Sequence, residues 1–241
     1  MDSDNKKPLE RVTTSHGLDE KDIMKGLQTG GCPVCNHTED VIFDFFAKWQ
    51  YALANDEKVQ REYAAEHGFC AAHTWQLAAI ASPKGLSRGY PKLLAHMAEE
   101  LTKLNGASLD IANGITALLK ESESCRICKL LQETQETYMQ CLASFLEKEE
   151  ARVAYARSHG VCLRHLSLLV SFLTYREVVS FLLSEAAKKL RETAEDMERY
   201  ALKHETLERH LLNHDERYAY LRALVHIAGA RYVSAPHIRR I

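Results

Sequence analysis

Gly31-Cys32-Pro33-Val34-Cys35 and His67-Gly68-Phe69-Cys70-Ala71-Ala72-His73 decide the reading of this chain. The pattern recurs as Cys125-Arg126-Ile127-Cys128 and His159-Gly160-Val161-Cys162-Leu163-Arg164-His165. Between the CxxC and the CxxH lie 34 residues in the first copy and 33 in the second. Two cysteines three apart let one turn offer two thiolates. A Cys-x-x-His at a helix start offers a sulfur and an imidazole on one face. Each copy therefore predicts a Cys3His metal site, one at Cys32/Cys35/Cys70/His73 and one at Cys125/Cys128/Cys162/His165. The equivalent cysteines Cys32 and Cys125 are 93 residues apart, and Cys70 and Cys162 are 92 apart. That constancy points to duplication of a helical module of ~90 residues.

Outward from the motifs, the sequence predicts helices. Only 11 glycines and 5 prolines interrupt 241 residues, and no run alternates β-branched with polar positions. The expected fold class is all-α: a duplicated helical module with two Cys3His sites, followed by a long C-terminal helix. Val41, Ile42, Phe45, Phe46, Trp49 and Leu53 form an apolar stripe on a helix over Thr38–Ala54, preceded by a tight knuckle at Cys32–Cys35. Ser82–Pro91 reads as a connector whose Lys84 and Arg88 offer an anion-binding alternative. Further helices are expected at Ser87–Leu104, at Ala107–Lys120 and, in the second copy, from Cys128. Arg176–Leu212 reads as one helix with a heptad-like seam from Leu183 to Leu211, packing within the chain or, alternatively, between two copies as a homodimer. The expected organisation is a disordered 1–18, a first module 19–122, a second module 123–175, the C-terminal helices 176–230 and a tail 231–241.

Three thiolates and an imidazole suit a borderline-soft ion, and zinc, two ions per chain, is the cofactor expected. A Cys3His-ligated iron–sulfur cluster is the competing cofactor. Four protein ligands leave no position for substrate, which argues against catalysis. No GxSxG, Walker A, GxGxxG or HExxH motif appears, and no acidic pair stands out as general acid and base. The expected function is that of an accessory or adaptor protein with structural metal sites that binds a protein partner. Electron transfer or cofactor assembly through iron–sulfur clusters, and a thiol/zinc redox sensor, are the alternatives. The net charge of −2 and pI near 6.6 give no footprint for nucleic acid. No apolar run approaches the ~20 residues that span a bilayer. Met1–Lys21 is polar and lacks a signal-peptide core, so a reducing, cytoplasmic setting is expected. The seventh cysteine, Cys141, reads as a small buried apolar residue.

Gly31-Cys32-Pro33-Val34-Cys35 with Gly68-Phe69-Cys70-Ala71-Ala72-His73, and the polar stretch Asn213-His214-Asp215-Glu216-Arg217-Tyr218, resemble an uncharacterised prokaryotic family of helical proteins with paired CPxC and GFCxxH motifs. The similarity covers roughly residues 30–230. It implies a cytosolic metal-binding helical protein and supplies no substrate or reaction. The second copy departs from the pattern, with Arg126 in place of proline and Val161 in place of phenylalanine.

Overall fold

Pro33 sets the start of the longest helix in the first copy. Proline is well placed at the first helical position, where its missing N–H is not needed and its fixed φ suits the helix. The computed structural model, which describes residues 18–105, 110–205 and 209–228, accordingly begins this helix at Pro33 rather than at Thr38. The expected knuckle is thus the first turn of a helix. Apart from Leu18, the expected disordered start and the tail 231–241 lie outside the described residues.

The described residues form twelve α-helices and two 3-10 turns, with no strand. The first copy contains α2 (Pro33–Asn55), α3 (Glu57–Ala65) and α4 (Ala71–Ile80), preceded by α1 (Glu20–Gln28). The next three are α5 (Pro83–Gly89), α6 (Pro91–Asn105) and α7 (Ile111–Leu118). The second copy repeats the order of long, short and short helices as α8 (Arg126–Leu146), α9 (Glu149–Arg157) and α10 (Leu163–Ser171). The chain closes with α11 (Arg176–Glu205) and α12 (His214–Ala228).

Two expectations give way locally. Ser82–Pro91 is not a plain connector: Ser82 Oγ accepts from the Gly85 N–H and caps α5, with Pro83 opening the helix. The long C-terminal helix is described only to Glu205, and Arg209–Leu211 is a 3-10 turn. Residues 107–109, the expected start of a helix, and Leu207 of the seam lie outside the described residues.

The described residues divide into two units, each with its own core. The contiguous unit is Asp40–Glu133. The split unit takes its described residues from 18–39 and from 134 onward. The division falls inside α2 and inside α8, and does not follow the successive modules 19–122 and 123–175 expected above. The core of the contiguous unit is aromatic: Phe45, Phe46, Trp49, Tyr63 and Phe69 meet at centroid distances of 4.9–6.3 Å, with Leu53, Leu77 and Ile127 around them. The core of the split unit is largely aliphatic, with Ile23, Leu27, Val34, Met139, Leu142, Leu146, Leu169 and Leu182. In the split unit α11 packs against α12, and its Val178 and Leu182 enter the core, whereas Leu183 at the head of the expected seam is exposed.

Candidate metal centres

All four Cys/His motifs begin helices. Cys32 immediately precedes α2, and its carbonyl accepts from the Asn36 N–H at 3.1 Å. Cys125 does the same for α8 with Lys129, also at 3.1 Å. Cys70 and Cys162 are the N-caps of α4 and α10, with extended backbones and no side-chain cap bond. Their sulfurs are thereby left for other work. Helix N-termini present unsatisfied N–H groups and a positive dipole end, which favour thiolates.

Approach to these helix starts needs left-handed turns. Gly68 has φ +75° and Gly160 φ +71°. A Cβ at Gly160 would also press on the Tyr155 hydroxyl and on Lys189 at 3.3 Å each. His67, just before Gly68, is itself left-handed at φ 58°, whereas His159 is not. These two histidines, each just before the glycine of its turn, belong to neither donor group.

The split unit brings together Cys32, Cys35, Cys162 and His165, all buried. His165 Nδ1 lies 3.4 Å from Cys32 Sγ, 3.4 Å from Cys35 Sγ and 3.3 Å from Cys162 Sγ. Cys35 and Cys162 sulfurs are 4.0 Å apart. The contiguous unit brings together Cys70, His73, Cys125 and Cys128. Here His73 Nδ1 lies 3.2 Å from Cys70 Sγ, 3.6 Å from Cys125 Sγ and 3.4 Å from Cys128 Sγ. Cys70 and Cys128 sulfurs are 3.8 Å apart, and the Cys70 N–H donates to Cys125 Sγ at 3.5 Å.

These distances are the edges of a small tetrahedron. One ion at about 2.3 Å from sulfur and about 2.0 Å from nitrogen sets sulfur–sulfur edges of about 3.8 Å and sulfur–nitrogen edges of about 3.5 Å. Within each group all four donor atoms lie within 4.8 Å of one another. The donor set therefore fits a single metal ion.

Ionisation makes the same point. Burial opposes ionisation of Cys125, but bonds from His73 and from the N–H groups of Cys70, Cys128 and Ile127 outweigh it and bring the thiol down to about 6. Burial and its thiolate neighbours push Cys128 up to about 12. In the other group, contacts with Cys32 and Cys35 lower Cys162, while those with Cys162 and Cys35, together with burial, raise Cys32. One sulfur ionises at its neighbours' expense. A bound dication ends that competition, because it favours every thiolate at once.

The grouping corrects the sequence reading. The eight residues come together crosswise: the CxxC of each copy joins the CxxH of the other. Helix length is the reason. The 23 residues of α2 carry the chain about 35 Å from its first turn, and the nine of α3 recover at most about 14 Å. The residues between α3 and α4 do not make up the difference, because the left-handed turn at His67-Gly68 folds them back onto α3, and the CxxH at the start of α4 does not return to the CxxC at the start of α2. The 21 residues of α8 and nine of α9 impose the same limit on the second copy.

Other singled-out residues have structural partners. Cys141 Sγ lies 3.8 Å from the Leu18 carbonyl and in neither donor group. The Asn213–Tyr218 stretch starts α12. The Asn213 N–H donates to Glu216 Oε2 at 3.1 Å, and the Glu216 N–H donates to Asn213 Oδ1 at 2.8 Å. Lys203 of α11 reaches both Glu216 oxygens at 2.7 Å. Arg126, in the place of Pro33, pairs with Glu66 and lies 5.8 Å from the centre of the Trp49 ring. No helix among the described residues is long and apolar enough to cross a membrane.

No curated protein and no solved structure matches the chain. The model of a family of unknown function, DUF6062, matches residues 92–218. That segment carries Cys125, Cys128, Cys162 and His165, which supply two donors to each group. It covers more than half of the chain, which therefore belongs to the DUF6062 family of unknown function.

Proposed function

We propose that the protein is a zinc-binding accessory protein of a reducing compartment. Each of its two units is locked by one Zn²⁺, and the pinned helices serve a protein partner rather than a reaction. The carrying observation is that two groups of four donors, seven of the eight residues buried and Cys128 half-buried, each have the edge lengths of a single-ion tetrahedron. Each tetrahedron is filled by protein, the pattern of a structural rather than a catalytic zinc site. Zinc would supply folding free energy on the order of 10 kcal/mol per site.

The short edges favour one ion over a cluster. In an iron–sulfur cluster the thiolates attach to different irons, with irons and sulfides between them. The adaptor role draws support from large apolar side chains left in solvent, such as Ile111, Ile115 and Leu119 on or beside α7.

Anaerobic purification with elemental analysis and an absorption spectrum tests the reading. About two zinc per chain, without visible absorption, is expected. Iron with acid-labile sulfide and a band near ~400 nm would overturn it.

A further inference from the structure

Beside the Cys32/Cys35/Cys162/His165 group, the split unit contains a cavity of about 150 Å³. Two of the three ligand cysteines, Cys32 and Cys162, form part of its wall. His159, His226, Leu221 and Arg222 form much of the rest. A closed structural zinc site needs no such space at its sulfurs, so the cavity calls for an explanation of its own.

Its electrostatics select a neutral guest. Three thiolates and one Zn²⁺ leave a net charge of −1, which repels anions. Arg222 does not offset this, because its guanidinium is already bonded to Asp196 and Asp215. Burial disfavours the charged form of both histidines, and the neutral imidazole still offers one N–H. Arg222 Nε is buried without a hydrogen-bond partner. The wall therefore combines apolar surface, N–H donors and thiolate nucleophiles.

We propose that this cavity admits a small organic hydroperoxide to Cys162. The proposal rests on the zinc reading above. Cys162 Sγ attacks the terminal oxygen, the O–O bond breaks, and the alkoxide, oriented by the N–H groups of the wall, leaves as alcohol after taking a proton from solvent water. Cys35 Sγ, 4.0 Å away, then attacks the sulfenic sulfur. The S–S bond forms, and hydroxide leaves as water with a second proton. Two thiolates, one hydroperoxide and two protons thus become a disulfide, an alcohol and water. The sulfurs lose the two electrons that the O–O bond gains. Only Cys32 and His165 would then remain to hold a zinc ion, too few to retain it.

The test treats the full-length zinc protein, without air, with one equivalent of tert-butyl hydroperoxide. A chromogenic chelator follows zinc release, and mass spectrometry maps the disulfide. The expected result is release of one zinc of the two, with a Cys35–Cys162 disulfide. Leu221→Trp, which enlarges a residue of the cavity wall, is expected to start with the same zinc content and release it about tenfold more slowly. Prior release from the Cys70/His73/Cys125/Cys128 group, a disulfide elsewhere, or an undiminished rate in Leu221→Trp overturns the proposal. If Leu221→Trp does not fold, the disulfide map of the unsubstituted protein decides. A chain that purifies without zinc fails earlier and removes the metal reading itself.

Discussion

At the scale of single residues, crosswise pairing makes double substitutions informative. Cys32 and His165 belong to one donor group, whereas Cys32 and His73 belong to different ones. Cys32→Ser with His165→Ala should leave about one zinc per chain, and Cys32→Ser with His73→Ala close to none. Pairing within each copy would reverse the two results, so elemental analysis of both variants separates the arrangements. Cys141→Ser should leave zinc content unchanged, because its sulfur faces a carbonyl outside both groups. Gly160→Ala forces a side chain into a left-handed turn against Tyr155 and Lys189. A stability loss of about 1–2 kcal/mol in a denaturant titration is expected. The eight donor residues were legible in the sequence because CxxC and CxxH are local signals, complete within one helical turn. Which donors meet was not legible in the motifs, since that depends on distance along the chain. The signal lay in helix length: Pro33 at the first helical position lengthens α2 beyond what α3 can retrace.

At the scale of elements, α12 shows how one carboxylate holds a helix start. Glu216 is buried, closes the cap with Asn213 and takes both bonds from Lys203. Lys203, and then the Asn213 N–H, hold its carboxyl below the ordinary 4.5 despite burial. A depressed carboxyl stabilises the fold fully above its unfolded value and loses that contribution as pH falls through the folded one. The melting temperature should therefore fall more steeply below pH 4.5 in the natural chain than in Glu216→Gln. Thermal melts followed by circular dichroism at a series of acidic pH values check this. The polar stretch Asn213–Tyr218 was legible as a motif, but its work as cap and clamp depends on Lys203, ten residues upstream. The helical stripe of α2 was legible because apolar periodicity is itself the cause of burial. Of its six predicted residues, only Val41 escapes full burial.

At the scale of the molecule, each unit contains its own core and its own metal group. Both tryptophans, Trp49 and Trp75, belong to the contiguous unit, and only Trp49 is buried. Tryptophan emission thus reports on one metal group and is blind to the other. His73→Ala should shift the emission to the red as the aromatic cluster loosens, and His165→Ala should barely move it. Helicity by circular dichroism should fall in both. Successive modules were expected from the duplication, yet the units interleave, because repeated sequence dictates repeated helices and not which copy they pack against.

The crosswise pairing also sets a timetable for synthesis. When the first four donors have left the ribosome, they hold only half of each native set. The contiguous unit's set is complete only at Cys128, and the split unit's only at His165, a residue 133 positions after Cys32. Entropy reinforces that order. The group joining Cys70 to Cys125 spans 55 positions, and each doubling of a loop adds about 0.6 kcal/mol to its closure. If each group takes an ion, loading is nested, with the inner loop closing first and the outer loop last. Until Cys128 emerges, Cys32, Cys35, Cys70 and His73 are the donors at hand, so a growing chain that meets a metal ion too early is offered a non-native set it must later give up.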